Sequence, residues 1–118
     1  MSEEILLYLQ KKDMRRDMRE HLASFFSDKD AVSAASDKAA GTFLSSDIYR
    51  NAKTILAFIS AENEIDTKRI IAKALIDGKD VAVPRIIPGT SSMDFFFLRG
   101  DAELSTQLVT GSYGIQEP

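Results

Sequence analysis

Lys11 and Arg15 stand four residues apart in a stretch of helical character, so a helix sets both cations on one face. Like charges at that spacing repel mildly, by roughly 0.2–0.5 kcal/mol. An ammonium point charge beside a guanidinium fork suits successive oxygens of a polyphosphate. On spacing alone the plainer reading is a solvated face, because Lys12, Arg16 and Arg19 are near and Asp13, Asp17 and Glu20 can neutralise them. Glu64 follows an apolar run and precedes a helical stretch, which places it at the carboxyl edge of a parallel sheet, where open α/β folds bind ligands. A carboxylate there can accept hydrogen bonds from an amino-pyrimidine ring. With Glu62 and Asp66 beside it, the plainer reading of Glu64 is a capping or surface acid. Met93 and Phe95, Phe96 and Phe97 can wall a flat heterocycle, although such residues are more commonly core, the expectation for Phe96 in particular. Tyr113, between Gly111 and Gly114, can stack on a ring or simply pack on the surface.

Other chemistry is not written here. Without cysteine there is no thiol nucleophile, disulfide or Cys-ligated zinc, and one histidine makes a His-based metal site improbable. Gly111 and Gly114 are too sparse for a phosphate loop and precede no helix. No Ser-His-Asp or paired-carboxylate arrangement can be argued. No catalytic residue and no metal ligand is therefore assigned within this chain. His21 and Tyr49 show no partner pattern and read as structural.

The elements that must position these residues are legible in outline. Residues from about Ser2 to Phe26 read as one helix, with Ser2 as N-cap, Glu3 and Glu4 in the first turn, and a stripe of Met14, Met18 and Leu22. A second helix runs from about Ala31 to Leu44, capped by Asp28 or Asp30 and loosening near Gly41. Thr54–Ser60 is an apolar run with the pattern of a strand covered on both faces. A helix carrying Ile70, Ile71, Ala74 and Leu75 follows, with Asp66 or Thr67 as cap and Gly78 at its C′ position. Asp80–Pro84 is a second strand with proline at its end. Strand, helix and strand make a parallel βαβ unit. After turn residues at Pro88–Ser92, Met93–Leu98 forms a third strand, with Met93, Phe95 and Phe97 on one side and Asp94, Phe96 and Leu98 on the other. Asp101–Leu104 reads as a helical turn.

The fold class is therefore α/β: a single domain, residues 1–118, with a three-layer Rossmann-like sheet built on a parallel βαβ unit and preceded by two helices. Three strands are few for such a sheet, so it reads as incomplete on its C-terminal side. The net charge of −3 provides no basic field, so nucleic acid is not an expected partner. No apolar run approaches the ~20 residues of a membrane span, and the start lacks the basic residues of a signal peptide. Cytoplasmic localisation is the expectation.

Several short motifs occur in order: Lys11-x-x-Met14-Arg15, Ser60 before Glu64-Ile-Asp-Thr67, Gly78-Lys79, Pro84, Met93-Asp-Phe95, and Gly114-Ile-Gln-Glu-Pro118. Together they resemble the 5-formyltetrahydrofolate cyclo-ligase family, over nearly the whole chain. That resemblance implies ATP- and Mg²⁺-dependent conversion of 5-formyltetrahydrofolate to 5,10-methenyltetrahydrofolate, releasing ADP and phosphate. The formyl oxygen attacks the γ-phosphate, N10 closes on the activated carbon, and phosphate leaves. It further implies ATP-phosphate contacts for Lys11 and Arg15, a pterin contact for Glu64, packing on the pterin for Met93, and a covering ring from Tyr113. Arg85 matches the family's strand end.

Family members continue beyond the Glu-Pro loop into further strands and a segment resembling Gly-Arg-Gly-x-Gly-Tyr-Tyr-Asp, which serves the phosphates and Mg²⁺. The expectation is the N-terminal portion of a longer cyclo-ligase domain, inactive alone, its open sheet edge covered by the missing C-terminal segment or another copy. A non-catalytic folate- or nucleotide-binding module is the alternative, and a helix-mediated interaction domain is a third reading.

Overall fold

The computed structural model describes residues 2–111 and 114–118. Helix α1, Glu3–Ser27, begins where expected: the Ser2 hydroxyl accepts the Ile5 N–H at 3.2 Å, and Glu3 and Glu4 face the positive end of the helix dipole. A single residue, Asp28, separates it from α2, Lys29–Leu44. The Asp28 carboxylate accepts the Ala31 N–H at 3.1 Å, while its own N–H goes back to the Phe25 carbonyl at 3.1 Å. Asp28 thus ends one helix and starts the next. Gly41 does not loosen α2, which continues three residues further. Ser46 then caps the short α3, Asp47–Asn51, by accepting the Tyr49 N–H at 3.2 Å.

The sheet has the order β1-β2-β3, with β1 at Thr54–Leu56, β2 at Asp80–Ile86 and β3 at Met93–Phe97. Strands β1 and β2 are parallel, with Ile55 beside Val81, and α4, Lys68–Ile76, crosses between them. This is the expected βαβ unit. Helix α4 closes on Gly78 at φ 78°, with the Gly78 N–H on the Leu75 carbonyl at 3.1 Å and the Lys79 N–H on Ala74 at 3.0 Å. That pair of bonds is the Schellman closure, and the left-handed residue it needs is the glycine. Strand β3 is antiparallel to β2, with Val83 beside Phe96 and Ile86 beside Met93. A 3₁₀ turn, Leu104–Gln107, falls later than the helical turn expected at Asp101–Leu104. It leads to a small antiparallel hairpin of β4, Val109–Thr110, and β5, Gln116–Glu117.

The core lies on one face of the sheet. Ile55, Val81, Val83 and Leu98 pack with Ile71 and Ala74 of α4 and with Tyr49 of α3, flanked by Phe43 and Leu44 of α2. Ile71, Val81 and Val83 are fully buried, each contributing on the order of 1.5–3 kcal/mol. The opposite face carries Leu56, Phe95, Phe97 and Met93, all exposed, with Leu56 at 65% and Phe97 at 68%. The expectation that Thr54–Ser60 is a strand covered on both faces is therefore corrected. Only Thr54–Leu56 is strand, and of these only Ile55 is buried. Phe96, expected in the core, is 44% exposed, because among the described residues β3 has no neighbour beyond it to close the layer.

Helix α1 stands apart from this body. All of it except the half-buried Phe26 is exposed, including Leu7, Met14, Met18 and Leu22. Its 25 residues extend roughly 37 Å. The radius of gyration is 17.6 Å, against roughly 13.5 Å for a compact chain of this length. The accessible surface is 8761 Å², where about 6,400 Å² suits a compact monomer of 13.1 kDa. One helical layer lies on an open sheet, in keeping with an incomplete Rossmann-like α/β fold. Among the described residues, no helix is long and apolar enough to cross a membrane.

Candidate functional site

Beyond β1 the chain turns sharply, and side chains hold the turn. The Ser60 N–H donates to the Thr67 hydroxyl at 3.0 Å, and the Thr67 N–H donates back to the Ser60 hydroxyl at 3.1 Å. The Thr67 hydroxyl in turn donates to the Phe58 carbonyl at 2.6 Å, so it does not cap α4. Asp66 takes part of that role, accepting the Lys68 N–H at 2.9 Å and the Ser60 hydroxyl at 3.2 Å. The Asp66 N–H reaches the buried Ser36 of α2 at 3.0 Å. These bonds fix the loop in which Glu64 stands.

Glu64 is exposed, and one carboxylate oxygen accepts the Ala61 N–H at 3.0 Å. No other hydrogen bond reaches this carboxylate among the described residues, which leaves its second oxygen for a ligand. Glu64 lines a cleft of about 450 Å³ with Ser60, Glu62, Asp66 and Lys68 on its own side. The facing wall is the tail, through Gly114 and Gln116. Gly114 has φ 70°, a left-handed conformation that glycine adopts without strain. The cleft opens at the carboxyl edge of the parallel pair, the position from which open α/β sheets bind ligands. Three acids against one lysine make it hostile to phosphate and suited to a ring bearing N–H donors.

Met93 reaches the same edge, because it pairs with Ile86 at the end of β2. Its side chain belongs to the exposed apolar sheet face with Phe95 and Phe97, outside the walls of the cleft. Arg85 is tied back to Glu117, with Nε 3.9 Å from Oε1. Tyr113 lies outside the described residues.

Lys11 and Arg15 are not brought to the cleft; they sit on the free helix α1. The acids expected to neutralise them serve Arg16 instead, from Asp13 at 3.3 Å and Asp17 at 3.4 Å. Among the described residues neither Lys11 nor Arg15 makes an ion pair. At about 100° per residue, both fall in one sector with Leu7, Met14, Met18 and Leu22, opposite Asp13, Arg16 and Glu20. The two cations therefore border the apolar stripe, whereas the compensated charges form the solvated side. As a donor set they fit phosphate oxygens. Among the described residues, no group of three or more His, Cys, Asp or Glu side chains is placed to hold a metal ion.

The sequence pattern of the 5-formyltetrahydrofolate cyclo-ligase family matches residues 8–118. The chain belongs to that family. A similar protein from Caenorhabditis elegans, a probable 5-formyltetrahydrofolate cyclo-ligase, is 31% identical over 70 residues, covering 59% of this chain and 34% of that one. The chain thus matches about a third of the length of this curated relative. All of the residues singled out by the cyclo-ligase motifs fall inside the matched span. Sequence reasoning quoted Ser60 and Gln116 within motifs but did not single them out as walls of the cleft. The signal was present, since Ser60 stands four residues before Glu64 and Gln116 lies within Gly114–Pro118.

Proposed function

We propose that this chain serves the ATP-dependent conversion of 5-formyltetrahydrofolate to 5,10-methenyltetrahydrofolate, and that it carries the folate side and part of the ATP site. The observation that carries this reading is the cleft itself. Glu64 and the Gly114–Gln116 segment are about fifty positions apart in sequence, yet they face each other across it. Glu64 offers an acceptor to the amino-pyrimidine edge of the pterin. The open Met93 and Phe95 face provides an apolar surface beside the same sheet edge.

ATP supplies the phosphoryl group that activates the formyl oxygen, and Mg²⁺ is the expected companion of its phosphates. Lys11 and Arg15 are the residues of this chain that would hold the phosphates, neutralising charge by position. The described residues offer no metal-binding cluster. Further polypeptide, from the same chain or another, covers α1 and the open sheet face and completes the nucleotide site. The acid-rich cleft favours this folate reading over a nucleotide-binding module, since it repels phosphate.

Calorimetric titration of the chain with 5-formyltetrahydrofolate tests the assignment, with saturable one-to-one binding expected. Mixing the chain alone with 5-formyltetrahydrofolate, ATP and Mg²⁺ should yield no methenyl chromophore. Turnover by the chain alone would refute the division of labour, and absence of folate binding would refute the reading itself.

A further inference from the structure

Strand β2 outruns β1. The parallel register ends at Leu56 beside Ala82, so the later residues of β2 pair with no strand on that side among the described residues. The Leu98 N–H bonds the Val81 carbonyl at 2.8 Å and the Ile87 N–H bonds Ser92 at 2.9 Å, which turns the odd positions of β2 toward β3. The even positions therefore point their N–H groups to the open side. At Pro84 there is no N–H to satisfy, but at Ile86 there is.

The Glu117 carboxylate fills that place. Its Oε2 accepts the Ile86 N–H at 3.3 Å, and the residue is only 6% exposed. Arg85 approaches the other oxygen at 3.9 Å. Gly111 lies directly against the same carboxylate, so that a Cβ at Gly111 would overlap it. The Gly111 N–H bonds the Ile115 carbonyl at 2.8 Å, closing the loop between β4 and β5. Strand alternation then sends Glu117 to the β2 edge and Gln116 to the cleft.

We propose that Glu117 is a positioning residue: by capping the Ile86 N–H and bearing on Gly111, it docks the β4–β5 hairpin and holds Gly114 and Gln116 opposite Glu64. Its effect on ligand affinity rests on the folate reading above; its effect on the hairpin does not. Truncating Glu117 removes a buried acceptor and frees the wall, whereas glutamine keeps an oxygen of similar reach.

The test compares Glu117→Ala and Glu117→Gln in the full chain by amide hydrogen exchange, thermal melting and titration with 5-formyltetrahydrofolate. In Glu117→Ala we expect exchange at Ile86 and Gly111 to quicken about ten-fold, with Val81 and Val83 within about two-fold of the parent. Affinity for 5-formyltetrahydrofolate should fall about ten-fold, and Glu117→Gln should restore both quantities to within about three-fold. Unchanged protection at Ile86 overturns the proposal. So does quickening that extends to Val81 and Val83, or lost protection with undiminished affinity. If the parent chain binds no folate, the folate reading fails, and exchange at Ile86 and Gly111 still decides for or against the docking role. Should Glu117→Ala not fold, Gly111→Ala displaces the same carboxylate from the other side and is read by the same exchange.

Discussion

The Tyr49 hydroxyl donates to the Asp77 carboxylate at 2.5 Å, joining α3 to the end of α4 across 28 positions of sequence. Lys73 holds the other Asp77 oxygen at 2.7 Å, and Lys79 sits 4.5 Å from the centre of the Tyr49 ring. The Lys79 ammonium also donates to the Ala52 carbonyl at 2.7 Å. This cluster closes the edge of the sheet opposite the cleft, so it serves stability and leaves ligand binding alone. Tyr49→Phe should cost about 1–2 kcal/mol in denaturant unfolding and leave folate affinity unchanged.

The same cluster gives the stability a definite dependence on pH. Burial, followed by the bond to Asp77 and the charge of that carboxylate, pushes the Tyr49 hydroxyl up to about 12. The raised value means that the contribution is full below about pH 10, the ordinary tyrosine value, and is lost as pH rises toward about 12. The Lys73 bond, then the Tyr49 bond, hold Asp77 below its ordinary carboxylate value. That contribution is present above the ordinary value and disappears as pH falls through the depressed one. Melting followed from pH 8 to 12 should show the alkaline loss, and Tyr49→Phe should abolish it.

Gly78 is the one residue able to close α4 without strain, at φ 78°. No atom stands within 4 Å of a Cβ placed there, so the cost of Gly78→Ala is conformational alone. A loss of about 1 kcal/mol in unfolding free energy is expected, with no change in the cleft. A much larger loss would point to a packing role for this position.

The open sheet face makes the isolated chain prone to associate. Leu56, Phe95, Phe97 and Met93 form an apolar surface left exposed among the described residues. Phe97→Lys, at a residue 68% exposed, should reduce association seen by analytical ultracentrifugation while changing unfolding free energy by less than about 0.5 kcal/mol. Equal association in parent and variant would locate the contact elsewhere, with the apolar stripe of α1 the next surface to alter.

What the sequence disclosed was local. Ser2, Asp28 and Gly78 announce helix ends because capping is settled within a few residues, and the parallel βαβ unit follows from the order of the apolar runs. Thr54–Ser60 misled because its apolar pattern outlasts its hydrogen bonding: the Ser60 and Thr67 hydroxyls each accept the other residue's backbone N–H and bend the chain away from β2. Proline at 84 read as a strand end, whereas β2 continues to Ile86 because the nitrogen at 84 faces the side that β1 has vacated. The β4–β5 hairpin has strands of two residues, too short to carry a period. The bond from Ile86 to Glu117 spans 31 positions, and no local signal announces it. Within the site, the Glu64 motif and the tail could be singled out separately, but only the fold brings them together.

The central claim is that Glu64 receives the pterin, and the most direct measurement is the affinity of Glu64→Gln for 5-formyltetrahydrofolate by titration calorimetry, beside the parent chain. The amide keeps one acceptor oxygen but turns the other position into a donor and removes the charge that attracts ring N–H groups. We expect affinity to drop ten-fold or more, about 1.4 kcal/mol, with the melting temperature unchanged. Equal affinity in the two proteins would contradict the assignment of the cleft.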